Sequence, residues 1–180
     1  SQTRATFSGT SMTVDIDQVG DSNTMAASVA QGNSTSFTAN MTGDSNTTTL
    51  AFGATGDVAH TDFDLAATGD SNEVTFTQGA DATATAGDQD IVIAGNSNNV
   101  NATCEVVGCI NNWDIDGDEN DIDTTQTGNS DHSITADITG STNDIDIDQT
   151  NSTGSVSGVV VLTSTTSNAT IDIDQCTSGC

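Results

Sequence analysis

An asparagine returns down this 180-residue chain at a near-constant interval: Asn23, Asn46, Asn72, Asn98, Asn120, Asn143 and Asn168. Six of the seven have a glycine three residues earlier, at Gly20, Gly43, Gly69, Gly95, Gly117 and Gly140, and Thr165 stands in that place before the seventh. A period of roughly two dozen residues is that of a solenoid, where each repeat is one small unit that buries its apolar side only against its neighbours. A fixed G-x-x-N fits a stack of like turns better than an enzyme built round one cleft. The periodicity also argues against a disordered chain, which the composition alone would allow.

After each asparagine the side chains alternate. Val74, Phe76 and Gln78 share one parity, then Val100, Ala102 and Cys104, then Ile122, Thr124 and Gln126, then Ile145, Ile147 and Gln149, and near the end Ile171, Ile173 and Gln175. Period-two alternation over five to eight residues predicts half-buried strands rather than helices. A second run leads into each glycine: Met12, Val14, Ile16 and Gln18 before Gly20, Trp113 and Ile115 before Gly117, and Ile134, Ala136 and Ile138 before Gly140. One repeat is therefore strand, turn, strand, turn. The predicted fold is all-β: a single β-solenoid domain over residues 12–180, of about seven strand-turn-strand-turn rungs with a flattened section and parallel in-register stacking. Residues 1–11 are polar and irregular and read as an N-terminal arm or cap.

Such stacking predicts columns. Ile145 meets Ile171, Ile147 meets Ile173, Gln149 meets Gln175, and Asn143 lies between Asn120 and Asn168. The ladder residues are the seven asparagines together with Gln18, Gln78, Gln126, Gln149 and Gln175. Stacked amides bond from rung to rung and so satisfy groups that are costly to bury alone. The six glycines are expected to supply positive φ at the turns. Met41, Ala67, Ile93, Ile115, Ile138 and Thr163 take the place of Gln18 in later repeats. His60 and His132 fall in different half-repeats and read as edge or surface residues, and Trp113 reads as a core filler.

The outside is acidic. The chain has 26 aspartates and glutamates against one basic residue, Arg4, for a formal charge of -25. That charge excludes nucleic acid and anionic membranes as natural partners and favours cations or basic surfaces. No apolar run is long enough to insert in a membrane. If the isoleucines point inward, Asp144, Asp146, Asp148, Asp172 and Asp174 point outward on neighbouring rungs. Bare carboxylates about 4.8 Å apart repel by roughly 1 kcal/mol per pair in water. High salt could screen them, or calcium could bridge them, with Asp146, Asp148, Asp172 and Asp174 as candidate ligands. The specific calcium-loop spacings are absent. The aspartates are serial features of the repeat, and no G-x-S-x-G elbow occurs, so no catalytic residue is assigned and the chain does not read as an enzyme. The cysteines form two close pairs, Cys104 with Cys109 and Cys176 with Cys180. Local disulfides in an oxidising compartment are expected, although four cysteines allow three connectivities. That places the chain outside the cell or at its surface, with a leader removed.

Gln18-Val19-Gly20-Asp21-Ser22-Asn23 resembles the Q-x-G-x-x-N core of the curlin repeat. Gln126-Thr127-Gly128-Asn129-Ser130-Asp131 is similar, and Ile16-Asp17-Gln18, Ile147-Asp148-Gln149 and Ile173-Asp174-Gln175 look like the strand before that turn. The resemblance implies a secreted bacterial subunit that polymerises end to end with copies of itself, as a functional amyloid fibre of the biofilm matrix. It implies a structural role in adhesion or surface coating, with Asn, Gln and Ile ladders running on across each joint. A β-solenoid binding module of a cell surface or virion, a receptor-binding or decoration protein, shares the same fold and differs in what its ends do.

Overall fold

The computed structural model describes residues 1–53, 58–79, 88–105, 108–128, 132–151 and 158–176, with backbone alone for 30–35, 58–61 and 151. The alternating runs become twelve strands: β1 (Gln2–Ser8), β2 (Thr13–Val19), β3 (Ser22–Thr42), β4 (Ser45–Phe52), β5 (Val58–Thr68), β6 (Ser71–Gln78), β7 (Asp88–Ala94), β8 (Ser97–Cys104), β9 (Ile110–Asp116), β10 (Glu119–Gly128), β11 (His132–Asn151) and β12 (Gly158–Cys176). Every pairing between them is parallel, and together they form one continuous sheet. The sheet is wound into a flattened β-solenoid with two walls. β3, β11 and β12 are long because each runs round a corner from one wall to the other.

The front wall carries the asparagines. Its eight rungs are β1, the first part of β3, then β4, β6, β8 and β10, and the second parts of β11 and β12. The back wall has seven: β2, the second part of β3, β5, β7, β9, and the first parts of β11 and β12. The expected count of about seven rungs holds. Residues 1–11 differ from the expected arm or cap. Thr3, Ala5 and Phe7 alternate inward against Met25, Ala27 and Val29, so β1 is itself the first rung.

Between the walls lies a thin core one side chain deep from each face. In the N-terminal half it is aromatic: Phe37 lies within 6.0 Å of the rings of Phe7, Phe52 and Phe63, and Phe63 stacks on Phe76 at 5.3 Å. In the C-terminal half the core is aliphatic, with Ile115, Ile122, Ile134, Ile138, Ile145 and Ile147 all buried. Trp113 is buried in a back-wall column between Ile91 and Ala136, a large ring against a small neighbour. The expected columns Ile145–Ile171, Ile147–Ile173 and Gln149–Gln175 form as read.

The corner glycines are required for space rather than for φ. Among the G-x-x-N glycines only Gly20 has a positive φ, of 150°. A Cβ on Gly43, Gly69, Gly95, Gly117 or Gly140 would instead run into the carbonyl oxygen of the corner glycine one rung below and into a ladder asparagine. The backbone turns so tightly over the rung beneath that no side chain fits, which corrects the expectation of left-handed turns.

Candidate functional site: the amide ladder and the open ends

The parity that points Val74 and Phe76 inward also points Asn72 inward, and in-register stacking sets its amide beside those of Asn46 and Asn98. Asn23 Nδ2 donates to Asn46 Oδ1 at 3.0 Å, Asn46 to Asn72 at 2.9 Å, Asn72 to Asn98 at 2.9 Å, Asn98 to Asn120 at 2.9 Å and Asn120 to Asn143 at 2.8 Å. Each Nδ2 also faces the carbonyl of its own corner glycine and a carbonyl of the next rung's corner, as Asn46 does with Gly43 at 3.3 Å and Thr68 at 3.0 Å. One side chain thereby closes a turn, ties it to the next, and passes its acceptor to the asparagine below. A net hydrogen bond contributes only about 1 kcal/mol, but an orphaned buried amide costs about 1–3 kcal/mol, so every member is needed once one is buried.

Asn168 is not part of this ladder. The last rung is shifted by one residue, so Thr142 pairs with Asn168 and Asn143 with Ala169. Asn143 turns to Ser164 Oγ at 3.1 Å instead. The physical reason is that no glycine marks this corner: Thr166, not Thr165, lies opposite Gly140, and Ser164, not Thr163, opposite Ile138. The other five residues expected opposite Gln18, from Met41 to Ile138, do share one back-wall column with it.

The glutamines divide between the walls. Gln78, Gln126, Gln149 and Gln175 lie in one front-wall column; Gln149 Nε2 donates to Gln126 Oε1, and Gln175 Nε2 to Gln149 Oε1, each at 2.7 Å. Cys104 interrupts this column between Gln78 and Gln126. Gln18 belongs to the back wall, where it reaches Thr3 Oγ1 at 2.9 Å. The Q-x-G pattern therefore falls at both corners, and only its distance from the asparagine tells them apart.

Around Cys104 the core turns polar. Cys104 and Cys109 are joined in a disulfide. Cys176 is also disulfide-bonded, while Cys180 lies outside the described residues. Gln89, inward on β7, donates to Gln78 Oε1 at 2.7 Å. Asn111, inward on β9, is 1 % exposed, and neither of its amide atoms has a hydrogen-bond partner. His132 is buried rather than at the surface, and its Nδ1 accepts the Cys109 backbone N–H at 3.2 Å. The side chain of His60 lies outside the described residues. Gln89 and Asn111 are legible in the sequence: Asp88 and Asp90 flank the first, and Ile110 and Asn112 the second, in strict alternation.

The outward columns of the front wall carry the charge. One runs Arg4, Ala26, Thr49, Thr75, Asn101, Asp123, Asp146, Asp172. Beside it Thr125, Asp148 and Asp174 line up on one flank, and Asp121, Asp144 and Thr170 on the other. The Asp146 carboxyl is raised above its ordinary value by loss of solvent and by the repulsion of Asp148, Asp172, Asp123 and Asp174. On the back wall Asp64 is raised in the same way, by desolvation and then by Asp90 and Asp62. Elsewhere amides interleave with the carboxylates: Asn40 donates to Asp17 at 2.8 Å, Asn112 to Asp90 at 2.8 Å and Asn99 to Asp121 at 3.1 Å. The candidate metal ligands Asp146, Asp148, Asp172 and Asp174 do share one patch, two to a rung. Among the described residues no group of three or more His, Cys, Asp or Glu is gathered closely enough to hold a metal ion.

Neither end of the stack is covered among the described residues. β1 pairs only with β3, and β12 only with β11. The inward residues of the last front rung, Ile171 and Ile173, are 46 % and 39 % exposed. An open groove of about 660 Å³ also runs along the front wall, between the Ser45–Ser71–Ser97 row and the Thr47–Glu73–Asn99 row.

Fold and surfaces together define a parallel β-solenoid tied by an internal amide ladder, with β1 and β12 as its edge strands among the described residues. No family model, no curated protein and no solved structure matches the chain.

Proposed function

We propose that this chain is the structural subunit of an extracellular, curli-like fibre, polymerising end to end through its exposed edge strands to serve a biofilm matrix, adhesion or surface coating. The observation that carries this reading is the pair of edge strands, β1 and β12, each left without a second partner among the described residues. A strand edge with unpaired N–H and C=O groups templates another strand, and solenoids that stay single cover their ends. Here Ile171 and Ile173, core residues by parity, lie about half exposed on such an edge. Burying what remains exposed of two isoleucines at a joint contributes about 1–3 kcal/mol before the entropy of association is subtracted. The curlin-like Q-x-G-x-x-N turns support the same reading, and the disulfides favour an oxidising compartment. The role is structural, without turnover. High salt would screen the aspartate columns, and calcium would bridge them.

Negative-stain electron microscopy of the purified chain at high salt, with and without calcium, tests this. Long thin fibres are the expected result, and fibres that need calcium would give the aspartates a bridging role. Short particles that stay monodisperse in every condition would sink the fibre and favour a surface or virion binding module.

A further inference from the structure

The only basic residue of the chain stands at one end of a column whose other end is three aspartates deep. Arg4 is exposed on β1, and the pairings carry its column without a break to Asp123, Asp146 and Asp172. Arg4 forms no ion pair within the subunit among the described residues. We propose that copies of this chain join head to tail, β1 of one adding in parallel to the exposed edge of β12 of another, in the register that sets Arg4 opposite Asp172. The proposal rests on the self-assembly reading above and adds the polarity and register of the joint.

Three observations converge on this partner. The first is charge. In this register the guanidinium meets the carboxylate end of the column, with Asp172 one rung below it, Asp174 diagonal to it and Asp146 two rungs below. The opposite polarity is penalised: two β12 ends would bring Asp172 and Asp174 of both copies together, and two β1 ends would face arginine with arginine. The second is shape. The inward residues Thr3, Ala5 and Phe7 would meet Ile171, Ile173 and Gln175, so that small Ala5 receives the branched Ile173. The third is exposure. Ile171 and Ile173 lose the solvent that now covers nearly half of each.

The joint differs from the interior of the stack. The asparagine column ends in Ser1 at one end and Ala169 at the other, and the glutamine column in Phe7 and Gln175, so the expected amide ladders do not run on between copies. Specificity at the joint thus passes from the inner columns to the outer one. With eight rungs on the front wall against seven on the back, the front wall closes and the back wall is one described rung short at each joint. The joint is carried by the front wall.

A charge exchange tests the register. Arg4→Asp and Asp172→Arg are made separately, and each is checked by circular dichroism for the native strand signal. Seeded elongation is then followed at low salt for wild type, for each variant, and for the two variants mixed in equal amounts. Each variant alone should elongate at least tenfold more slowly than wild type, because each meets its own kind across a like-charged joint. The mixture should recover, since the head of the Arg4→Asp chain fits the tail of the Asp172→Arg chain and the remaining joints are wild-type pairs. Variants that elongate like wild type, or a mixture that fails to recover, would overturn the register while leaving the fibre reading intact. A wild type that never elongates would remove the fibre reading itself, and this proposal with it.

Discussion

The lower five rungs of the front wall and the upper three share one backbone register and differ in nearly everything else. Outside, the lower rungs carry Thr, Ala, Ser and Asn with Arg4 and Glu73, whereas the upper three carry seven aspartates from Asp121 to Asp174. Inside, the lower half packs five phenylalanines ring to ring, and the upper half stacks isoleucines. Only the corner is common to both, in every rung but the first and the last: glycine, two residues, asparagine. The difference separates what the fold demands from what it leaves free. The corner must be kept because a Cβ or a missing amide breaks the turn, and the core accepts any filler of suitable volume. The outer columns have no structural duty beyond solvation, and so they can carry a charge gradient along the solenoid axis.

The sharpest way to break this division is to cross it with neighbouring substitutions. Ile147→Asp puts a carboxylate into a position 1 % exposed and should cost about 5 kcal/mol or more, abolishing the cooperative unfolding transition followed by circular dichroism. Asp146→Asn, the adjacent residue with its side chain on the other face, should leave the transition in place or raise its midpoint. If both variants behaved alike, the parity assigned here would be wrong. Next in size is Gly69→Ala, whose Cβ would strike the Gly43 carbonyl; a loss of about 3 kcal/mol in urea unfolding is expected. A loss below about 0.5 kcal/mol, the scale of a neutral surface change, would show that the corner is looser than drawn.

Smaller and opposite in sign is the seam between the two halves. Asn111→Val removes two buried amide atoms that have no partner, and should stabilise by about 1 kcal/mol, read as a higher urea midpoint. A destabilised variant would place a bound water or another partner on that amide. The smallest effect is acidity. Asp146 and Asp64 are raised from an ordinary value of 3.8, so the folded chain holds these protons more tightly than the unfolded chain. Stability should therefore rise as pH falls from above the raised values toward 3.8, and fall again as pH climbs. Asp146→Asn should flatten part of that rise; an unchanged profile would remove Asp146 as a source.

Much of this is legible because spacing and parity are enforced by stacking. From Asn23 to Asn143 each ladder residue can be placed from its glycine alone. The ladder reading fails at Asn168 because Thr165 and Thr166 give no steric mark of the corner, and one residue of slip moves the column to Ala169. β1 escapes for the same reason: its Thr3, Ala5, Phe7 parity is present, but no G-x-x-N introduces it. Gln18 keeps the column read for it, with Met41 through Ile138, but it does not join the other ladder glutamines, because a glutamine two residues before a glycine occurs at both corners. The role given to Arg4 needs the full chain of pairings, since nothing near Arg4 in sequence is acidic until Asp15.

Fibre diffraction from oriented assemblies bears most directly on the central claim, that the fibre continues the solenoid's own strand pairing. The account predicts a strong meridional reflection near about 4.8 Å, with a subunit repeat of about 38 Å along the axis, set by eight front-wall rungs. Fibres whose subunit repeat matched the width of the solenoid rather than its length would mean side-by-side association, and would contradict the account.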